Sequence, residues 1–121
     1  SSDVCSSDLM DEIKNSFRLK VVTEVTEIRF LERITKTADI LQIGSRNMQN
    51  LELLKEVSNT KLPIILKRHF GASLRDFLGA AEHILVEGNQ NLILCEWPTS
   101  KKLINSCMKS ALKKISGFPR F

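Results

Sequence analysis

Four short apolar runs, each followed by a stretch with apolar residues at helical spacing, constrain the fold of this chain more than anything else in it. The runs are Lys20-Val21-Val22-Thr23-Glu24-Val25, Asp39-Ile40-Leu41-Gln42-Ile43, Leu62-Pro63-Ile64-Ile65-Leu66-Lys67-Arg68 and Asn91-Leu92-Ile93-Leu94-Cys95-Glu96. Each is of strand length and nearly continuous in its hydrophobicity, as expected for strands buried on both faces. Between them Ile28, Leu31 and Ile34, then Leu51, Leu54 and Val57, then Leu74, Phe77, Leu78, Ala81, Ile84 and Leu85 recur every third or fourth position, the mark of amphipathic helices. Strand and helix alternating through short loops require a parallel sheet with crossover helices. The sequence therefore predicts an α/β fold with parallel strands at 20–25, 39–43, 62–67 and 91–95, side by side in sequence order.

The second run carries the most chemistry. Its apolar residues stop at Gly44, and Ser45-Arg46-Asn47 follows just before a helical pattern. With Asn47 as N-cap, the open amides of a helix start and the Arg46 guanidinium would converge on one phosphate. Glu24 lies near the end of the first run, Lys67 and Arg68 end the third and Glu96 ends the fourth, so charges collect at the C-terminal ends of the strands, where α/β folds place their chemistry.

These blocks carry a resemblance. Val21-Val22-Thr23-Glu24-Val25, Ile40-Leu41-Gln42-Ile43-Gly44-Ser45-Arg46-Asn47-Met48-Gln49-Asn50, Leu66-Lys67-Arg68, Ala80-Ala81-Glu82 with Glu87-Gly88-Asn89, and Ile93-Leu94-Cys95-Glu96 resemble consecutive segments of the 3-deoxy-7-phosphoheptulonate synthases, in the branch close to the 3-deoxyoctulosonate 8-phosphate synthases. The likeness implies part of a (β/α)8 barrel, its third to sixth strands. It also implies an enzyme that condenses phosphoenolpyruvate with erythrose 4-phosphate at the head of aromatic amino acid (shikimate) biosynthesis. On that likeness Arg46 and the Ser45 amide bind the phosphate of phosphoenolpyruvate, Lys67 binds the same substrate and donates a proton, and Glu24 orders the lysine or the attacking water. A plain Lys67–Glu24 ion pair across neighbouring strand ends is the simpler role for those two side chains.

The same likeness marks what the chain lacks. A full barrel takes about 250 residues, and there are 121 here. The family's divalent metal is held by a cysteine on its first strand and by histidine, glutamate and aspartate in its last strands. None of those segments is present, so no metal ligand is expected among these residues. The Lys-Pro-Arg-Thr loop that grips both substrates is missing too. After Glu96 the family continues with an arginine that contributes to the phosphoenolpyruvate site, where this chain has Trp97-Pro98-Thr99-Ser100. The expectation is a fragment without synthase activity of its own, whose full-length relatives are cytoplasmic homo-oligomers. A fragment of the octulosonate enzyme, or of another phosphoenolpyruvate-condensing barrel, is the alternative of the same class.

Charge separates the ends from the middle. The chain has 18 Lys and Arg against 14 Asp and Glu, but residues 1–96 carry 12 basic and 14 acidic side chains, whereas residues 97–121 carry six basic and no acidic ones. Residues 1–9 repeat Ser-Ser-Asp and read as a non-native leader, residues 10–96 as the partial barrel and residues 97–121 as a divergent basic tail. Within that tail Lys101 to Ile115 has the pattern of a basic amphipathic helix, which opens a reading of another class, a non-catalytic α/β module that binds a polyanion. Nucleic acid is otherwise not an expected partner, and no run approaches the roughly 20 apolar residues of a membrane span. Three cysteines without close spacing give neither a zinc site nor a disulfide framework, and Cys95 reads as an inert buried thiol. His69 replaces a glycine of the resembled pattern and would crowd its loop, and His83 reads as a partly buried packing residue.

Overall fold

The computed structural model describes residues 2–96, with side chains from residue 8 onward; the expected basic helix of the tail and the Trp97–Ser100 departure lie outside the described residues. The elements are α1 (Ser2–Phe17), β1 (Val22–Glu24), α2 (Leu31–Thr35), β2 (Ile40–Ile43), α3 (Leu51–Asn59), β3 (Ile64–Lys67), α4 (Leu74–Val86) and β4 (Leu92–Cys95), with 3-10 turns at Ile28–Phe30 and Ser45–Asn47. The strands form one sheet in the order β1-β2-β3-β4, every neighbour parallel. This is the architecture expected from the sequence, half the strands of a (β/α)8 barrel with crossover helices. α1 runs without a break across the boundary drawn between residues 9 and 10.

One core holds the arc together. Val25, Leu41, Ile43, Ile64 and Leu66 from one face of the sheet pack with Leu53, Leu54 and Val57 of α3 and with Phe77, Ala80, Ala81 and Ile84 of α4. Side chains alternate faces along a strand, so Ile40 and Ile65 lie on the other face. They are buried as well, which is why the runs read as continuous rather than alternating. Each fully buried aliphatic side chain contributes roughly 1.5–3 kcal/mol.

The helices sit slightly differently from the simplest periodic reading. Leu51 is exposed because it is the first residue of α3, and Leu53 is buried in its place. On α4, Leu74, Leu78 and Leu85 form an exposed flank. His83 is exposed rather than partly buried, since it lies on the side of α4 away from the Phe77–Ala81–Ile84 stripe. Ser73 caps α4 with a reciprocal pair: its Oγ accepts from Asp76 N at 3.1 Å and its own N–H donates to Asp76 Oδ2 at 3.3 Å.

Two polar ties fix the ends of the strands opposite the charged ends. Lys14 Nζ of α1 donates to Thr37 O at 3.0 Å and pairs with Asp39 Oδ1 at 3.0 Å, while Asp39 Oδ2 accepts from Val21 N at 2.8 Å. Between α4 and β4, Gly88 takes φ +91, a conformation that L side chains rarely adopt. The next residue, Asn89, is buried. Its Nδ2 donates to Leu62 O at 2.8 Å and Ser58 O at 3.4 Å, and its Oδ1 accepts from Asn91 N at 3.0 Å. The Glu87-Gly88-Asn89 block thus locks two neighbouring loops together.

Candidate anion site at the strand ends

Glu24, Gly44 and Lys67 come together on the sheet face opposite α3 and α4. Residues in register across parallel strands share a face, and Glu24 is aligned with Gln42 while Leu66 is aligned with Ile43. One step further along the same ladder, Gly44 stands beside Lys67, which is itself aligned with Cys95. The carboxylate of Glu24 reaches forward over the buried backbone of Gly44, so a Cβ at that position would overlap Glu24 Oε1. Gly44 has φ −66 and ψ 159, an extended conformation open to any residue. Close approach of the carboxylate, not backbone strain, is what glycine provides here.

Beyond Gly44 the chain differs from the expected helix start. Asn50, not Asn47, is the N-cap of α3, its Oδ1 accepting from Leu53 N at 3.2 Å. Ser45–Asn47 instead form a 3-10 turn in which Asn47 N donates to Gly44 O at 3.0 Å and Met48 N to Ser45 O at 3.4 Å. Met48, 1% exposed, is the reason: burying it in the core pulls the chain inward before the helix begins. Such a turn satisfies its amides only from the third residue on, so those of Ser45 and Arg46 have no acceptor within it. Ser45 is half-buried and Arg46 exposed.

Among the described residues, Glu24, Arg46 and Lys67 make no ion pair within 4.0 Å, and the simple Lys67–Glu24 pair is not formed. The ion pair at this end of the sheet joins Arg68 to Glu96 at 2.9 Å. Arg68 also donates through Nε and Nη2 to Ala72 O at 3.1 and 3.0 Å, bracing the loop from β3 to α4. Within that loop His69 is half-buried: its Nδ1 accepts from Gly71 N at 3.0 Å and its ring stacks on Phe70 with centroids 4.8 Å apart. Cys95 is half-buried rather than fully buried, because β4 is an outer strand of the sheet.

The strand alignment adds a residue that the sequence reading passed over. Gln42, half-buried, shares the face and register of Glu24. As the one polar residue in an otherwise apolar run it was visible, but only the register between strands puts it on the face of Glu24 and Lys67. Among the described residues no cluster of three or more His, Cys, Asp or Glu side chains could hold a metal ion, and no helix is long and apolar enough to cross a membrane.

Comparison with known proteins gives this geometry a setting. A family model described as the DAHP synthetase I family matches residues 6–103. The phospho-2-dehydro-3-deoxyheptonate aldolase of Thermotoga maritima is 38% identical over 89 residues, which are 74% of this chain and 26% of that protein. A 2-dehydro-3-deoxyphosphooctonate aldolase from Hahella chejuensis is 28% identical over 122 residues, covering 93% of this chain and 41% of its own length. Among solved structures, a truncated form of 3-deoxy-D-arabino-heptulosonate 7-phosphate synthase from Thermotoga maritima matches with TM-score 0.72 and 35% identity, over 78% of this chain and 37% of that one. The chain thus spans between about a quarter and two fifths of the length of the relatives it matches.

Proposed function

Because the chain belongs to the DAHP synthetase I family, we propose that it forms the phosphoenolpyruvate-binding part of a 3-deoxy-7-phosphoheptulonate synthase, the enzyme that joins phosphoenolpyruvate to erythrose 4-phosphate. The observation that carries this reading is the meeting of Glu24, Gly44 and Lys67 on one face at the C-terminal end of the sheet, with the Ser45–Arg46 turn directly after Gly44. In this reading Arg46 grips the phosphate with its two-pronged guanidinium, and the Ser45 amide donates beside it. Lys67 faces the same anion and delivers a proton to the substrate. Glu24, held forward over Gly44, orients the lysine or the water that attacks the carbon bearing the enol phosphate. Positioning two anionic substrates and balancing the developing charge is the chemistry such a site supplies.

The family's divalent metal acts as a Lewis acid when bound. The described residues contain no ligand set that fits it, so the roles here are confined to Glu24, Ser45, Arg46 and Lys67. Identity favours the heptonate over the octonate reading, at 38% against 28% for the relatives compared above. The polyanion-binding reading falls on residues outside the described ones.

A titration with inorganic phosphate and then phosphoenolpyruvate, followed by amide NMR, tests the site. The Ser45 and Arg46 amides should shift first, and Arg46→Ala should abolish the response. Binding should be weak, because contacts between exposed charges contribute only about 1 kcal/mol or less. Shifts clustered instead at Lys109, Lys113 and Lys114 would transfer the anion site to the basic tail and sink the enzymatic reading for this chain.

A further inference from the structure

His69 stands just past the end of β3, a strand flanked on both sides by β2 and β4. The ladder toward β4 continues through Arg68, whose N–H donates to Cys95 O at 2.9 Å, so the chain is still strand-like as it reaches His69. Two residues of strand span about 6.6 Å, which sets the backbone of His69 close to that of Lys67. Toward β2, the His69 N–H donates to Met48 Sδ at 3.5 Å, and Met48 N donates in turn to Ser45 O at 3.4 Å. The start of the β3–α4 loop is therefore seated against the turn that carries Ser45 and Arg46.

The imidazole is fixed and its tautomer follows from its partner. Nδ1 accepts from Gly71 N at 3.0 Å, and a ring nitrogen that accepts carries no proton, so the proton sits on Nε2. Phe70 stacks on the ring with centroids 4.8 Å and planes 27° apart. Gly71 lies so near that a Cβ there would stand 3.3 Å from both Nδ1 and Cε1. Among the described residues Nε2 makes no hydrogen bond, and it is not a buried atom. The ring thus holds out one N–H donor with nothing to receive it.

On the phosphoenolpyruvate-binding reading of the Ser45–Arg46 turn, we infer that His69 donates through Nε2 to a phosphate oxygen of the anion gripped there. A phosphate group has three strong acceptor oxygens and takes donors from several directions at once. Arg46 and the Ser45 amide approach it from the end of β2, and Lys67 and His69 approach it from the end of β3. The imidazole supplies direction without a further charge. Because Gly71 and Phe70 already fix the ring, little freedom is lost when the anion arrives.

Inorganic phosphate titrated into the 121-residue chain, with the histidine ring nitrogens followed by long-range proton–nitrogen NMR beside the backbone amides, tests this role. Without phosphate, His69 should show the Nε2–H tautomer. With phosphate, its Nε2 should shift along the same saturation curve as the Ser45 and Arg46 amides, while His83, exposed on α4, stays unmoved. His69→Phe keeps the stack on Phe70 and removes the donor, and it should weaken phosphate binding about three- to tenfold, the loss of one neutral hydrogen bond. His69→Gln, which retains both an acceptor and a donor, should recover most of that affinity; a residue that only shapes the loop would leave Nε2 still during the titration. Movement of the Ser45 and Arg46 amides without movement of Nε2 would overturn the role of His69 and leave the anion site standing. Silence at Ser45 and Arg46 would overturn both. An Nδ1–H tautomer in the free chain, or a His69→Phe chain that binds phosphate as tightly as its parent, would also overturn the inference.

Discussion

Replacing Asn89 with alanine should destabilise the chain by about 2–3 kcal/mol, a magnitude that follows from three hydrogen bonds considered separately. Leu62 O loses its 2.8 Å donor beside a side chain that is only 2% exposed, so most of the desolvation penalty of a carbonyl applies. Asn91 N loses its acceptor at 3.0 Å but belongs to an exposed residue, so water replaces most of that bond. Ser58 O keeps the Lys61 amide at 3.1 Å and loses little when the 3.4 Å contact disappears. Domains of this size are stable by about 0.05–0.15 kcal/mol per residue, so the change removes a large fraction of the total. Urea unfolding read by circular dichroism, with the slope unchanged, measures it. Asn89→Asp should cost more than Asn89→Ala, since it keeps the shape, deletes both donors and sets a carboxylate against Leu62 O. If Asn89→Ala falls within about 0.5 kcal/mol of the parent, the Glu87-Gly88-Asn89 block is not a lock and the reasoning fails.

Gly44→Ala should leave stability within about 1 kcal/mol of the parent, because φ −66 suits alanine and the colliding atom is the end of an exposed glutamate. The Glu24 carboxylate must swing away, so its side-chain carboxyl carbon resonance should move; an unmoved resonance would show that the carboxylate does not rest on Gly44. Arg68→Ala should cost about 1–2 kcal/mol by loosening the Ala72 carbonyl and the half-exposed Glu96 pair together. Added salt should reproduce only the ion-pair share of that loss, and unchanged denaturation midpoints would remove the clamp from the account. Assayed with phosphoenolpyruvate, erythrose 4-phosphate and divalent metal, the isolated chain should release no phosphate above a Lys67→Ala control. Turnover above that control would show that the Lys-Pro-Arg-Thr loop and the arginine replaced at Trp97 are dispensable.

The strands were legible in the sequence because burial on both faces leaves a signature that needs no partner to interpret: Ile40-Leu41 and Ile64-Ile65-Leu66 are apolar at every position. The start of α3 was not. Asn47 and Asn50 are both competent caps three residues apart, and only the burial of Met48, a tertiary event, decides for Asn50. His83 was misplaced for a related reason, since the 3.6-residue period defines a stripe but not how wide a sector the neighbouring helix and sheet cover. At the site, residue types could be read while juxtaposition could not. Lys67 and Glu24 looked like natural ion partners at neighbouring strand ends, yet in the fold the glutamate leans over Gly44 and the arginine next to Lys67 makes the pair. Gln42 became interpretable only once the register with Glu24 was fixed.

The unbroken strand order also governs how this molecule comes into being. The paired positions Val22 and Ile40, Leu41 and Ile64, and Ile64 and Leu92 stand 18, 23 and 28 positions apart along the chain. Among the described residues every pairing therefore closes a loop of similar, modest length. During synthesis the first pair is complete once β2 has emerged, and each later unit adds to a surface already formed. An arc assembled in this way is extensible: each new strand meets an edge of the same kind as the one before it.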